Sequence, residues 1–149
     1  MTTQCACLNA RKVARLLSQS YDAALRPVGI RSTQLPLLAT IGLRGPLALT
    51  ELADAVVIDR TTLTRSLALL ERKGWVRTIA GADLRTREIS LTPRGQDVLR
   101  RAVPLWDNAQ ARATAILGEA RAERLLADLA TTVDQMKKPG RASAGARQR

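Results

Sequence analysis

The 149 residues are enough for one compact domain, or for a domain with an extension, and 46% of them are hydrophobic, which suffices for a core. The formal net charge is +11, and the sequence holds two cysteines and no histidine. A four-ligand zinc site, a Ser/His/Asp triad and a Cys/His nucleophile pair are therefore excluded within one chain. Because no Gly-rich phosphate loop is present either, we expect no enzymatic activity and no cofactor.

The positive charge is concentrated in two segments. Residues 60–94 hold eight Lys/Arg against three Asp/Glu, and residues 137–149 hold five Lys/Arg and no acid. Such localisation favours an anionic partner bound at defined positions. The chain has only Trp75, Trp106 and Tyr21 on which bases could stack. Since proteins that bind single strands usually rely on exposed rings, a nucleic-acid duplex is the better prediction.

Nothing in the sequence suggests a membrane. No apolar run approaches the roughly 18 to 20 residues that cross a bilayer. The first residues, "MTTQCACLNARK", also lack the charged and then apolar layout of a secretory signal. A cytoplasmic protein without membrane contact is expected.

The first predicted elements are two amphipathic helices. Helical spacing over residues 8–26 predicts a helix that ends at Pro27 and Gly29. Its expected buried stripe is Val13, Leu16, Leu17, Tyr21, Ala24 and Leu25. "STQLPLLATIGL" predicts the second helix, with Ser32 or Thr33 as N-cap and Pro36 in its first turn. Its inward positions are Leu35, Leu38 and Ile41.

Two short helices around a tight turn follow. "ALTELADAVV" predicts a helix capped by Thr50, and a turn through Ile58 leads to a second helix. Asp59 is its natural N-cap, and Gly74 ends it after two basic residues. This spacing is typical of a helix-turn-helix.

After Gly74 the hydrophobic period changes to that of strands. "WVRTIA", the turn "GADLRT" and "REISLT" predict a β-hairpin, which makes the unit a winged helix. Thr92 then caps a long helix with Pro93 at its first position and a bend expected near Pro104. A last helix carries Leu125, Leu129, Val133 and Met136 on one stripe. Residues 137–149 are expected to be a basic, disordered tail.

The helix that follows Asp59 has two distinct faces. Leu63, Leu67 and Leu70 share a core face. The opposite face carries threonines and arginines rather than the Lys/Glu mixture of a merely solvated helix. Threonine can donate to phosphate or touch a thymine methyl, and arginine can bind guanine bidentately in a major groove about 12 Å wide. These features predict a recognition helix.

The sequence resembles the multiple-antibiotic-resistance-regulator (MarR) family of winged-helix transcription factors from about residue 8 to residue 136. The most specific match is "DLRTREISLTPRG" at 83–95, similar to the family's wing signature, and "LADAVVIDRTTLTRSLALLERKGWV" is similar to its helix-turn-helix. The resemblance implies a mainly α (α+β) winged helix-turn-helix fold with long N- and C-terminal dimerisation helices. It also implies a homodimer on pseudo-palindromic promoter DNA, usually a repressor released by a small ligand or by oxidation.

We accordingly expect a dimerisation region of residues 1–31 and 96–136, a DNA-binding lobe of residues 32–95, and the tail. The recognition helix, about 60–73, would enter the major groove, and the wing, about 80–90, the minor groove. The expected DNA contacts are Ser32, Thr33, Arg60, Thr61, Thr62, Thr64, Arg65, Arg72, Lys73, Arg85 and Arg87. Of these, Arg72 and Lys73 suit phosphates or the helix dipole. By the resemblance, Arg85 or Arg87 would reach the minor groove and Asp83 would orient an arginine.

A dimer also has support that does not depend on the resemblance. Apolar stripes on the first and last helices have too few other elements to cover them. One helix-turn-helix reads few base pairs, so a two-fold dimer with half-sites about 10 bp apart would supply specificity.

Two alternative signals for release from DNA are considered, thiol oxidation and a small ligand. Cys5 and Cys7 precede the first helix, in the predicted dimerisation region, and some family members sense oxidants through a cysteine near this helix. A Cys-x-Cys ring is strained, so a bond between subunits or to a small thiol is favoured over an internal one. The alternative is a small, phenolic anion between the lobe and the dimer helices, with Arg11, Arg15 and Tyr21 as candidate lining residues.

A second function class is a non-specific architectural DNA-binding protein, which the basic tail and total charge would suit. Such proteins insert apolar wedges between base steps, and no wedge residue stands at an exposed tip of this sequence. Sequence-specific regulation is the preferred hypothesis.

Overall fold

The computed structural model describes residues 4–81 and 87–137. The predicted wing turn, with Asp83 and Arg85, and most of the basic tail lie outside these residues. The described elements are α1 (Ala6–Leu25), a 3₁₀ turn (Arg26–Val28), α2 (Leu35–Arg44), β1 (Leu47–Ala48), α3 (Leu49–Val56), α4 (Arg60–Arg72), β2 (Val76–Ala80), β3 (Arg87–Leu91), α5 (Pro93–Leu117) and α6 (Glu119–Lys137). The predicted mainly helical fold with a small antiparallel sheet is confirmed.

The chain divides into two compact units, residues 1–109 and 110–149. The first unit contains the helix-turn-helix, the sheet and the described hydrophobic core. The described part of the second unit holds the last residues of α5 and all of α6. The division into a dimerisation region and a DNA-binding lobe, drawn from the sequence, remains a prediction.

The sheet is antiparallel, with the strand order β1-β3-β2. In the wing hairpin Val76 pairs with Leu91 and Ala80 with Arg87. The sequence did not predict β1, which has only two residues and pairs Leu47 with Ile89. A two-residue strand is defined only by its pairing with β3, so no local sequence pattern predicts it.

The core of the first unit lies between α2, α3, α4 and the sheet. Its largest side chains are aliphatic and wholly buried, because the apolar faces of α2, α3 and α4 and the end of α1 meet there. They are Leu25, Leu37, Leu38, Ile41, Leu52, Leu63 and Leu70. The inward positions predicted for α2, namely Leu35, Leu38 and Ile41, are buried as expected.

The predicted N-cap residues of α4 and α5 are confirmed, whereas those predicted for α2 and α3 are wrong. α2 begins after Gln34, whose side-chain oxygen accepts a hydrogen bond from the backbone of Arg31 at 3.1 Å, so neither Ser32 nor Thr33 is the cap. α3 begins at Leu49, which places Thr50 inside its first turn. The carboxylate of Glu51 accepts from the backbone N–H of Ala48 at 2.8 Å, so Glu51 caps α3 in place of Thr50.

The stripe predicted to be buried on α1 is only partly so. Leu25 at its end is buried, whereas Val13 is 43% and Leu16 67% exposed. On α6 the side chains of Leu129, Val133 and Met136 are exposed as well. Large apolar side chains at helical spacing therefore remain uncovered in the single chain.

Trp75 anchors the junction between α4, the wing and α5. Its backbone oxygen accepts from the N–H of Thr92 at 3.0 Å, and the Thr92 hydroxyl donates to Gly74 at 2.6 Å. The same hydroxyl oxygen accepts from the N–H of Gly95 at 3.0 Å, which confirms Thr92 as the cap of α5. A Cβ on Gly95 would overlap the Trp75 carbonyl, so this close approach requires glycine.

Two further features of the described residues bear on function. No helix among them is long and apolar enough to cross a membrane. Within the same part of the chain, no group of three or more His, Cys, Asp or Glu side chains could hold a metal ion. α5 continues through Pro104 from Pro93 to Leu117.

Candidate nucleic-acid interface

A tight turn sets α4 against α3. Val57 adopts a left-handed conformation (φ 55°) directly after α3, and the N–H of Ile58 donates to the carbonyl of Ala53 at 3.1 Å. Asp59 is extended and starts α4. The chain thus reverses within three residues and presents α4 as the second helix of a helix-turn-helix.

The start of α4 is stabilised by Asp59. Its Oδ1 accepts from the N–H of Thr62 at 2.9 Å, as the sequence predicts for an N-cap. Hydrogen bonds hold the pKa of Asp59 below its ordinary value. The largest effect comes from the side chain of Thr62 and the next from the backbone of Thr62. This cap is therefore present at neutral pH and is lost as the pH falls through the depressed pKa.

The two faces of α4 are divided as the helical wheel predicts. Leu63 and Leu70 are fully buried and Leu67 is 6% exposed. The opposite face is exposed along the whole helix. Its residues are Arg60, Thr61, Thr62, Thr64, Arg65, Ala68 and Arg72. Small side chains between arginines leave the helix backbone accessible to a groove about 12 Å wide.

One hydroxyl on this face already has an acceptor. Thr64 Oγ1 donates to the carbonyl of Arg60 at 2.7 Å, one turn back along the helix. The lone pairs and the methyl group of Thr64 stay available on the exposed face. Contact between Thr64 and a thymine methyl therefore suits the geometry better than donation to a phosphate, since the hydroxyl proton is already donated to the carbonyl of Arg60.

The wing lies beside α4 across a shallow cleft of about 230 Å³. Arg87, at the start of β3, lines this cleft together with Thr64 and Ala68. Glu71 on α4 accepts from the hydroxyl of Thr78 on β2 at 2.6 Å, a contact that sequence reasoning missed. The recognition face and Arg87 thus belong to one continuous surface, whereas Arg85 lies outside the described residues.

Three other residues expected at the DNA differ in their surroundings. Thr33 is exposed. The hydroxyl of Ser32 is buried, and its backbone N–H donates to Asp22 at 2.6 Å, so this side chain does not suit the DNA contact expected of it. The ammonium of Lys73 lies 3.0 Å from the carbonyl oxygen of Gly29 rather than projecting from the recognition face.

An apolar cavity of about 560 Å³ opens between α1, α2 and the first part of α5. The described residues that line it are uncharged: Tyr21, Ser32, Leu35, Pro36, Ala39, Leu43, Leu99, Val103 and Trp106. Ser32 is one of these lining residues, and its Oγ is buried without a hydrogen-bond partner among the described residues. Burial raises the pKa of Tyr21, whose phenol stays neutral.

The residues expected to sense a signal are placed as follows. Tyr21 lines the cavity, but Arg11 and Arg15 are exposed and do not. Cys5 is the N-cap of α1, where its sulfur accepts from the N–H of Leu8 at 3.4 Å. Cys7 lies in the first turn, and both thiols are free and exposed.

A helix-turn-helix followed by a hairpin wing defines a winged-helix protein. The model of the MarR family matches residues 30–83. The transcriptional regulator MosR of M. tuberculosis, solved in complex with DNA, is 43% identical, with 91% of this chain and 100% of that chain covered and a TM-score of 0.77. The chain belongs to the MarR family, whose members are transcriptional regulators rather than enzymes.

Two further comparisons concern a curated relative and a solved structure. The HTH-type transcriptional regulator YwoH of Bacillus subtilis is 30% identical over 83 residues, which are 56% of this chain and 61% of YwoH. The chain thus spans about three fifths of the curated relatives it matches first. A mutant MarR of E. coli, solved in complex with operator DNA, shares the fold at a TM-score of 0.76 and 23% identity, covering 83% of this chain and 89% of that one.

Proposed function

We propose that this protein is a dimeric, sequence-specific DNA-binding transcriptional regulator of the cytoplasm that acts as a repressor. The observation that carries the proposal is the exposed face of α4, where arginines alternate with small hydroxyl residues beside Arg87 of the wing. The 43% identity to MosR, which was solved with DNA, supports the same partner. In this proposal α4 reads the major groove and the wing reaches the minor groove.

The homodimer is part of the proposal because of uncovered apolar side chains. On α6, Leu126, Leu129, Val133 and Met136 recur at intervals of three and four residues and are between 43% and 83% exposed. A second copy of the chain would remove this stripe, and that of α1, from water. The two-fold axis would then present two copies of α4 to the half-sites of a pseudo-palindromic operator.

The test is competition between two duplexes at several salt concentrations. A fluorescent fragment from the region upstream of the gene competes with random duplex of equal length. The regulator hypothesis predicts strong preference for the upstream fragment and an affinity that falls steeply with salt. Equal affinity for both duplexes would instead support the non-specific architectural function, and no binding to either would refute both.

We propose the apolar cavity as the site of a small effector. A volume of about 560 Å³ is that of a ligand pocket, and the uncharged lining disfavours an anion, which would lose its hydration without a charged partner. The phenolic anion expected from the sequence depended on Arg11 and Arg15, which lie outside the lining. The cavity instead suits a neutral, apolar molecule.

Oxidation of the thiols is the competing route of release. A hydroperoxide would convert the Cys5 thiol to a sulfenic acid, with the hydroperoxide reduced to an alcohol. The added oxygen would enlarge and polarise the group that caps the first turn of α1, where the sulfur accepts from the N–H of Leu8. Because α1 carries one of the two uncovered stripes, its first turn lies within the proposed dimerisation region.

Two variants distinguish these routes. Cys5→Ser with Cys7→Ser keeps a capping oxygen and removes both thiols, while Ala39→Phe fills the cavity and keeps the thiols. With cumene hydroperoxide added to the DNA complex, we expect release from the wild type and Ala39→Phe but not from the double serine variant, as measured by fluorescence anisotropy. Oxidant-driven release from the serine variant would eliminate the thiol route.

A further inference from the structure

The side chain of Lys73 folds back along the surface of the protein from the end of the recognition helix. Its Nζ donates to the carbonyl oxygen of Gly29 at 3.0 Å and lies 4.2 Å from the centroid of the Trp75 ring. Gly29 precedes Lys73 by 44 residues and ends the turn that follows α1. We propose that Lys73 is a positioning residue that holds the end of α4 against this turn, and that it is not a phosphate contact.

The proposal rests on the proposed function, in which α4 reads DNA. Lys73 lies in the segment where eight basic residues are concentrated, so charge alone places it among the DNA contacts. A lysine that contacts phosphate extends its ammonium into solvent, where it retains water until DNA arrives. The ammonium of Lys73 already has a carbonyl oxygen and a ring face as partners within the first unit.

The carbonyl of Gly29 is a well-fixed acceptor. Gly29 adopts a left-handed conformation (φ 69°), and its N–H donates to Arg26 at 3.0 Å. The chain that follows is held on both sides, since Ile30 is buried in the core and the N–H of Ser32 donates to Asp22 of α1 at 2.6 Å. Lys73 thereby links α4 to a turn that is itself tied to α1.

Trp75 is an equally fixed partner. It is 5% exposed, its N–H donates to the carbonyl of Leu70 at 3.0 Å, and its carbonyl accepts from Thr92 at 3.0 Å. The indole ring of Trp75 therefore stays in place if the side chain of Lys73 moves. With a rigid acceptor on one side and a rigid ring on the other, the ammonium defines where the C-terminal end of α4 lies.

The segment that holds Lys73 leads to the proposed effector cavity. Ser32, which lines the cavity, comes three residues after Gly29. A ligand that displaces Ser32 would act on the same short segment whose carbonyl holds Lys73. A short stretch of chain, from Gly29 to Ser32, thus connects the contact of Lys73 with a lining residue of the cavity.

The preceding residue provides a matched control. Arg72 has the same charge and is exposed on the recognition face, so it is the residue suited to a phosphate. Lys73→Met and Arg72→Met each remove one positive charge at adjacent positions. Base contacts depend on the orientation of α4, whereas attraction to phosphates depends mainly on charge.

The experiment measures affinity for the upstream fragment and for random duplex as a function of salt. Lys73→Met is expected to lower affinity for the upstream fragment about tenfold, the size of one lost charge-assisted contact, with little change for random duplex. The slope of log K against log salt should stay at the wild-type value. Arg72→Met should weaken binding to both duplexes and reduce the slope by about 0.9.

Several results would overturn the proposal. A slope reduced by about 0.9 in Lys73→Met, or equal weakening on both duplexes, would make Lys73 a phosphate contact. Unchanged affinity would remove its positioning role. Lys73→Arg, which can still donate to Gly29 and stack on Trp75, should retain wild-type affinity, and urea unfolding of all variants shows whether a loss reflects the fold instead.

A second readout does not need DNA. In a Trp106→Phe background Trp75 is the only tryptophan, and Lys73→Met should change its emission because the ammonium leaves the ring. Arg72→Met should not change it. An unaltered spectrum in Lys73→Met contradicts the contact itself, whereas failure of the wild type to bind either duplex contradicts only the proposed function.

Discussion

Gly95→Ala is expected to lower the free energy of unfolding by about 3 kcal/mol, the upper part of the range for overpacking. The added Cβ would overlap the backbone carbonyl of Trp75, which cannot move freely because Thr92 donates to it. Either α5 shifts away or the bonds that join α4, the wing and α5 are lost. Urea denaturation followed by circular dichroism measures the change.

Gly42→Ala is the matched control for this prediction. Its Cβ would come 2.8 Å from Leu99 Cδ2, the end of a flexible side chain that can change rotamer. Gly42 also lies inside α2, where alanine gains about 1 kcal/mol in helix propensity. The two effects should nearly cancel. If Gly95→Ala were as mild as Gly42→Ala, the rigid junction at Trp75 would not exist in solution.

Arg65→Ala is expected to reduce affinity for the upstream fragment by about 1–3 kcal/mol and to relax specificity at one base step. Arg65 lies at the middle of the exposed face of α4, opposite Leu63 and Leu67, where a guanidinium can reach a base edge bidentately. Stability should hardly change because the side chain is exposed. Competition against a set of single-base variants of the fragment identifies the relaxed position.

Arg44→Ala provides the comparison for Arg65→Ala. Arg44 is an exposed arginine at the end of α2, outside the helix-turn-helix, so its loss changes the net charge equally. Its removal should leave the base preferences as they are. Uniform weakening by Arg65→Ala across all base variants would mean that Arg65 binds the backbone and that another residue reads the base.

Much of the candidate interface could be predicted because it depends on neighbours in the chain. Asp59 caps α4 through the N–H three residues later, and Gly74 ends it with a positive φ, so both signals are local. The buried and exposed faces of α4 follow from helical periodicity. The wing strands were found for the same reason, since β3 has alternating burial.

One of the two incorrect helix starts depends on a contact between different elements. Ser32 and Thr33 satisfy the composition rule for an N-cap, yet Gln34 precedes α2 because the preceding turn is tied to Asp22 of α1. Arg11 and Arg15 lie outside the lining of the apolar cavity, and their part in a ligand site stays a prediction. The bond from Ser32 to Asp22 joins different elements, whereas the Glu51 carboxylate that caps α3 in place of Thr50 acts within its own helix end.

The sequence by itself determined the winged helix-turn-helix, the two faces of the recognition helix and the concentration of positive charge around it. These properties depend on residue type at short spacing, and short spacing is visible in a sequence. Only the tertiary structure decided that Ser32 lines an apolar cavity and that Lys73 contacts Gly29, 44 residues before it. Both depend on segments that folding brings together, so two adjacent basic residues, Arg72 and Lys73, look alike in the sequence and differ in the fold.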